Sequence, residues 1–241
     1  MDIISKRPNT IEPFELFGTA HLLTILVMVI IGVLCLYASQ KSERFSRLFK
    51  YFLIINLIVM DISYRLWSGF YETHDYVGMF SIHISSVSVI LSVFVLLKYN
   101  QKTFDVLFYW GLILVPQAII TPGIYRYGFP HLRFFQILWI HFLVIYTVFY
   151  LLIIKKRKLS PFNLKRVLII THFYGIFIFI INRIFDTNYM FIGKKASVPS
   201  LIQYLGPWPY YIVILDVILI TLFVIINKVY QRIEGTKDGS I

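Results

Sequence analysis

Seven long apolar stretches dominate the sequence and limit the folds open to it. A helix that crosses the hydrocarbon core of a bilayer needs about 20 mainly apolar residues. The stretches run over residues 17–37, 49–70, 78–97, 104–121, 132–154, 164–185 and 208–226. Because 58% of the 241 residues are apolar and only 15% are charged, a water-soluble fold is excluded. The sequence predicts an all-α, polytopic membrane bundle of about seven transmembrane helices, in a single domain over residues 1–241.

The fourth stretch departs most from this pattern. It is short, and Pro116, Gln117, Thr121 and Pro122 lie in its second half or directly after it. Proline has no N–H group to donate within a helix, and its ring crowds the preceding turn. We therefore predict that this helix kinks or ends early.

The lysines and arginines predict the orientation. Loops rich in these residues are retained in the cytoplasm. Fifteen of the 23 fall in alternate loops and the C-terminal segment, whereas seven fall on the other side. This predicts an N-terminus outside the cytoplasm, a C-terminus inside it and a location in the cell membrane. The net charge of +11 comes from these loops, and since no DNA- or RNA-binding module is recognisable, we predict no nucleic acid partner.

Polar side chains within the spans mark the candidate site. Ionisable groups are costly in lipid and usually face the interior of a bundle. In the predicted topology they collect in the extracytoplasmic half: Asp61, Arg65, His83, His131, Arg133, Gln136, His141, Asn182, Arg183 and Asp186. Asp61 and Arg65 are four residues apart on one helical face, where an ion pair lowers the cost of burial. The sequence predicts a polar pocket that opens outward.

His83 and His141 are the candidate catalytic residues, because imidazole titrates near neutrality and can transfer protons. The alternative is structural, since an intramembrane histidine often only hydrogen-bonds a neighbouring helix. No two histidines lie four residues apart, and the last span contains none. We therefore predict no metal site, and no soluble cofactor is indicated.

Four segments resemble the bacterial YwaF-like family of integral membrane proteins, and the resemblance covers almost the whole chain. The first is Phe80-Ser81-Ile82-His83-Ile84-Ser85, which is similar to the family's L-P-L-H-L-C. The others are Thr121-Pro122 followed by Gly128-Phe129-Pro130-His131-Leu132-Arg133-Phe134-Phe135-Gln136 and His141; Thr187-Asn188-Tyr189-Met190-Phe191; and Gly206-Pro207-Trp208-Pro209-Tyr210. More distant eukaryotic relatives resemble acyltransferases that move fatty acyl chains between phospholipids.

The resemblance implies roles for particular residues. The cysteine that would form an acyl-enzyme is Ser85 here, so Ser85 replaces the thiol, or a histidine activates the acceptor hydroxyl for direct attack. Because Ser85 and His83 point differently on a helix, a base from another helix is favoured. Arg133 suits a phosphate headgroup, and Gln136 or Asn188 would steady an oxyanion. Tyr189, Asp61 and Arg65 complete the expected substrate-binding set, although an ion pair is also a structural feature.

The first function hypothesis is therefore a bacterial lipid acyltransferase or lipid hydrolase that uses His83 and His141, with membrane lipids as its partners. The alternative is a carrier or sensor that binds a small polar molecule or lipid headgroup in the same pocket without changing it. A third is a structural subunit in which the polar residues only hold the bundle together.

Overall fold

The computed structural model describes residues 13–71, 79–124, 126–195 and 201–238. These residues form helices joined by turns, and no β-strand occurs among them. The chain divides into two compact units, Met1–Leu159 and Ser160–Ile241. Each unit is described by itself.

The first unit contains six α-helices within its described residues. Helix α1 is Thr19–Lys41, α2 is Glu43–Tyr71 and α3 is Ile84–Leu97. Helix α4, Gln101–Tyr109, continues into a π-helix, Trp110–Leu114, which is followed by the short α5, Gln117–Ile120. Helix α6, Leu132–Phe149, likewise continues into a π-helix, Tyr150–Ile154.

Helix α6 is the centre of the first unit. It packs against α1, α2 and α3, and Leu138, Leu143 and Val144 on it are completely buried. Its start is fixed by His131, whose Nδ1 accepts a hydrogen bond of 3.0 Å from the Arg133 backbone N–H and so satisfies one of the open donors of the first turn. Side chains on α6 therefore face the interior of the unit on several sides.

The predicted irregularity of the fourth stretch is confirmed. The π-helix Trp110–Leu114 carries a hydrogen bond of 2.8 Å from Val115 N–H to Trp110 O, five residues back rather than four. Pro116 follows at once and cannot supply the next N–H donor, so the helix turns and resumes only at Gln117. Gly111 lies in this segment, where an added Cβ would meet Val148 Cγ2 at 2.8 Å, so the π-helix approaches α6 closely.

The second unit is built on two long helices. Helix α7 is Asn163–Ile184 and α8 is Tyr210–Asp238, with 3₁₀ turns at Tyr189–Phe191 and Leu201–Tyr204 between them. The two helices pack against each other. After α7 the chain is turned by Asn182, whose Nδ2 donates to Tyr189 O (2.9 Å) and whose Oδ1 accepts from Tyr189 N–H (2.8 Å).

The helices match the predicted spans in place and order, and they confirm an all-helical membrane protein. Within the described residues five segments are long and apolar enough to cross a bilayer: Thr19–Lys41, Gln101–Ile120, Leu132–Ile154, Asn163–Ile184 and Tyr210–Gly235. Helices α2 and α3 occupy the two other predicted spans. Helix α2 carries Asp61 and Arg65 in its apolar part, and α3 has only 14 residues. Seven crossings and their orientation stay predictions.

Helix α1 meets α6 at Gly32, and this contact yields a test of the packing. An added Cβ at Gly32 on α1 would overlap Cε1 of Tyr146 on α6, and the Tyr146 hydroxyl donates to Met28 O on α1. We expect Gly32→Ala to destabilise the first unit by about 1–3 kcal/mol, the usual cost of overpacking. Gly175→Ala is the control, because a Cβ there meets nothing within 4 Å.

The measurement is thermal unfolding of the purified variants in detergent, followed by size-exclusion chromatography. The Gly32→Ala midpoint should fall below that of the wild type while Gly175→Ala stays at or above it. Equal midpoints for the two variants would show that α1 and α6 do not approach each other as described.

Candidate functional site

An ion pair on α2 holds the chain that leads into α3. Arg65 Nε donates to Asp61 Oδ2 at 2.6 Å, and both side chains are mostly buried. The same guanidinium donates from Nη1 to Met79 O (3.0 Å) and from Nη2 to Ser81 O (3.4 Å). Because one rigid cation reaches a carboxylate and two backbone carbonyls, it positions the segment that carries His83 and Ser85. In the structure Asp61 and Arg65 thus have a positioning role.

The segment held by Arg65 delivers two candidate residues to the start of α3. His83 is the residue that precedes the helix, and Ser85 is its second residue. The Ser81 and Ser86 hydroxyls lie 2.8 Å apart and brace the same turn. Within the described residues the Ser85 hydroxyl has no hydrogen-bond partner. The backbone N–H groups of Ile84, Ser85 and Ser86 have no acceptor there either, whereas that of Val87 donates to His83 O at 3.0 Å. The N-terminus of α3 therefore offers a hydroxyl and open N–H donors side by side.

His141 lies in the middle of α6 and is 7% exposed. Its Nδ1 is 2.5 Å from Ile137 O. A carbonyl oxygen can only accept, so Nδ1 carries the proton and Nε2 presents a lone pair. Nε2 has no hydrogen-bond partner among the described residues. His141 also interacts electrostatically with His83 and with Arg133, which brings these three predicted site residues together around α3 and α6, two helices that pack against each other.

Arg133 and Gln136 connect α6 to α2. Arg133 Nη1 donates to Gln136 Oε1, and its guanidinium lies 3.9 Å from the centre of the Tyr64 ring. Gln136 Nε2 donates to Met60 O at 3.2 Å. The amide oxygen of Gln136 and one of its N–H bonds are thus engaged with the protein, and its predicted role with an oxyanion would have to use the remaining N–H.

An aromatic cluster surrounds His131. Its ring stacks on Tyr127 with centroids 4.6 Å apart and meets the edge of Trp67 at 6.2 Å. Trp67 and Tyr127 are themselves in edge contact at 5.5 Å. Since Nδ1 of His131 already caps α6, the structure gives this histidine a role in fixing the helix start.

Asn188 and Tyr189 belong to the second unit, where both serve the turn after α7. The Asn188 side chain donates to Lys194 O (2.8 Å) and accepts from Lys194 N–H (3.1 Å). The backbone of Tyr189 is held by Asn182, and its side chain is buried. In the structure these two residues therefore stabilise a loop, and their predicted contact with substrate stays a prediction.

The sequence analysis missed an ionisable pair in the second unit. His172 Nε2 on α7 lies 3.0 Å from Asp216 Oδ1 on α8, and both side chains are 43% exposed. His172 Nδ1 is also 2.7 Å from Leu168 O. A lone histidine and a lone aspartate in consecutive long spans were the available signal, but nothing in the sequence sets the relative rotation of the two helices.

Two cavities of the first unit lie away from these histidines. The larger has a volume of about 570 Å³ and lies where α1 ends, α2 begins and the π-helix after α6 ends. It contains none of the predicted site residues, so the predicted outward pocket stays a prediction. Within the described part of the chain no three His, Cys, Asp or Glu side chains converge on a point where they could hold a metal ion.

Comparison with known proteins identifies the family. A family model described as the TMEM164 family matches residues 16–227, a range that includes every candidate site residue named above. No curated protein and no solved structure matches the chain.

The Asp61–Arg65 pair can be tested with a double-mutant cycle of Asp61→Asn and Arg65→Gln. We expect a coupling free energy of about 0.5–1 kcal/mol, because the pair is partly buried and its two residues share one hydrogen bond. Glu43→Gln and Arg47→Gln form the control cycle: these residues have the same spacing on the same helix, but no ion pair joins them in the described structure.

The readout is unfolding by SDS in mixed micelles, followed by circular dichroism. The Asp61–Arg65 cycle should show coupling and the Glu43–Arg47 cycle none. Coupling of the same size in both cycles would mean that the helical spacing alone determines the coupling free energy. The contacts of Arg65 with the segment before α3 would then contribute nothing to it.

Proposed function

The chain belongs to the TMEM164 family of membrane proteins, and we propose that this multi-pass member is an enzyme that cleaves an acyl ester of a membrane lipid. The acyl group passes to a second hydroxyl acceptor or to water. The proposal adopts the predicted seven crossings, outward N-terminus and cell-membrane location, and a bacterial source follows from the YwaF-like resemblance. The family match itself carries no activity, so the proposal depends on the side chains around α3 and α6.

The tautomer of His141 is the observation that carries the proposal. The hydrogen bond from Nδ1 to Ile137 O leaves Nε2 as the basic nitrogen, as a general base requires. A histidine with a purely structural role would be expected to engage both ring nitrogens in hydrogen bonds. His21 does so, because its Nε2 is 2.9 Å from Ile119 O and its Nδ1 accepts from Phe17 N–H. The single engaged nitrogen of His141 favours a proton-transfer role.

The reaction then follows from three groups. Ser85 Oγ attacks the ester carbonyl while its proton passes to Nε2 of His141, and the carbonyl oxygen becomes an oxyanion. The open N–H groups at the N-terminus of α3 lie next to Ser85 and are suited to stabilise that charge. When the intermediate collapses, the lipid alkoxide leaves with the proton from His141 and the acyl group stays on Ser85. Attack by the second acceptor, again activated by His141, regenerates the serine hydroxyl.

The predicted arginines support this chemistry without taking part in the attack by Ser85. Arg65, paired with Asp61, positions the segment before α3. Arg133 donates to Gln136, and its guanidinium, whose geometry matches that of a phosphate group, contacts the lipid headgroup in this proposal. His83 interacts electrostatically with His141 and is the second candidate base, either for Ser85 or for the acceptor.

The proposal can be tested by comparing cellular lipids in strains that express the wild type, His141→Gln or Ser85→Ala at matched membrane levels. We expect a change in acyl composition with the wild type and a loss of that change in both variants, since removing a general base typically lowers a rate about 10²–10⁴-fold. Ser88→Ala is the control, because Ser88 is a buried serine on the same helix whose hydroxyl donates to Ile84 O at 2.8 Å.

The possible results separate the mechanisms. Loss with His141→Gln alone means that a histidine activates the acceptor for direct attack without an acyl-serine. A lipid profile that is the same with the wild type, both variants and an empty vector would overturn the enzyme and favour a carrier or sensor of a lipid headgroup.

A further inference from the structure

A cavity at one end of the first unit is lined by cations. It is about 570 Å³ in volume, and its charged lining residues are Lys41, Glu43, Arg47, Lys155 and Lys156. A neighbouring cavity of about 120 Å³ shares Lys155 and adds Lys50 and Arg157 without any acidic residue. Both volumes lie at the end of the unit where the sequence predicts the cytoplasmic loops.

These cations lack counter-ions. Within the described residues none of Lys41, Arg47, Lys155 and Lys156 forms an ion pair, and neither does Glu43. Four positive side chains around one cavity with a single carboxylate repel one another and create a strongly positive potential. Such an arrangement is most stable when an anion occupies it.

Neighbouring groups hold several of the cations in place. The Lys155 ammonium lies 5.5 Å from the centre of the Tyr150 ring, and the Arg157 guanidinium lies 4.0 Å from that of Tyr99. Tyr150 is fixed in turn, because its hydroxyl donates to Ser46 O at 3.2 Å and lies 3.1 Å from the Ser46 hydroxyl. These hydrogen bonds join the π-helix that follows α6 to the start of α2. The basic residues beside them therefore lie on an ordered surface and are not simply a solvated run of charge.

The backbone adds to the positive potential. Helix α2 has 29 residues and starts at Glu43 on the rim of the cavity, and the N-terminus of a helix carries partial positive charge. The cavity is also partly apolar, because Ile153 and Ile154 line it and Ile153 is 40% exposed. An occupant with a negatively charged group and an apolar body fits this lining better than a small inorganic anion.

The geometry points to a binding site for the phosphate headgroup of an anionic phospholipid between α1, α2 and the end of α6. Lys155, Lys156, Lys41 and Arg47 contact the phosphate and any further negative group of the head, and Ile153 and Ile154 contact the glycerol backbone and upper acyl chain. The site is distinct from the proposed acyl-transfer centre. Lys155 follows His141 by 14 residues, or roughly 20 Å along the helix at about 1.5 Å per residue, so a lipid bound here does not reach His141 with its ester.

The test measures lipid binding to the purified full-length protein in detergent by native mass spectrometry. The probes are dioleoyl phosphatidylglycerol, dioleoyl phosphatidylcholine and inorganic phosphate at equal concentrations. The variants are Lys155→Gln with Lys156→Gln, the charge-conserving Lys155→Arg with Lys156→Arg, and a control with Lys98→Gln and Lys102→Gln. The control removes two exposed lysines from the same predicted side, and neither of them lines either of these two cavities.

We expect the wild type to bind phosphatidylglycerol about tenfold more tightly than phosphatidylcholine, since each nearby cation strengthens the binding of anionic lipid. The Lys155→Gln, Lys156→Gln protein should bind the two lipids about equally, which is a loss of about tenfold in preference. The arginine variant and the Lys98→Gln, Lys102→Gln control should keep the preference of the wild type. A preference that survives in the Lys155→Gln, Lys156→Gln protein, or is lost equally in the control, would overturn the site. Inorganic phosphate that binds as tightly as phosphatidylglycerol and competes with it would overturn the lipid assignment in favour of a free anion.

Discussion

The polar groups of α2 and α6 must find partners inside an apolar bundle, and this requirement determines how the first unit is built. Water cannot satisfy a guanidinium or an amide within the hydrocarbon core. Arg65 therefore bonds to Asp61 and to the carbonyls of Met79 and Ser81, and Gln136 bonds to Met60 O. The Asp61–Arg65 bond lies within α2, whereas the bonds to Met79 O, to Ser81 O and from Gln136 join α2 to other parts of the unit. The partners that these buried side chains require therefore orient α3 and α6 against α2.

The proposed chemistry depends on the same framework. The segment before α3 has no regular structure of its own over residues 81–83, and Arg65 holds it through the carbonyls of Met79 and Ser81. Because it is held, His83 and the N-terminus of α3 face a neighbouring helix whose His141 has one nitrogen committed to Ile137 O and the other open. Histidine and serine are common in membrane helices as plain packing residues. It is the open nitrogen, the unpartnered Ser85 hydroxyl and the open N–H donors together that favour catalysis.

The sequence predicted the helices well because a bilayer imposes their length. The runs at residues 132–154 and 164–185 reappear almost unchanged as Leu132–Ile154 and Asn163–Ile184, and the kink at Pro116 follows from the missing N–H of proline. Contacts between residues far apart in the sequence were harder to predict. The bond from Gln136 to Met60 spans 76 residues, and the His172–Asp216 contact depends on how α7 and α8 are rotated about their axes. Hydropathy identifies which side chains are unfavourable to bury, but only the packing of the helices determines which partner each of them bonds to.

The two ends of α6 in the first unit have different chemistry, and the difference constrains how the molecule can meet lipids. Toward the start of the helix Arg133 donates to Gln136 and lies over the Tyr64 ring, and farther along Nε2 of His141 has no hydrogen-bond partner among the described residues. At the far end the cations around Lys155 have no counter-ion among the described residues. A neutral, partly dry site is suited to breaking an ester, because developing charge is stabilised most strongly where water is excluded. A cationic cavity is suited to holding an anion without reacting with it. In the two proposals α6 and the π-helix that continues it therefore contact one lipid through its ester at His141 and another through its phosphate at Lys155.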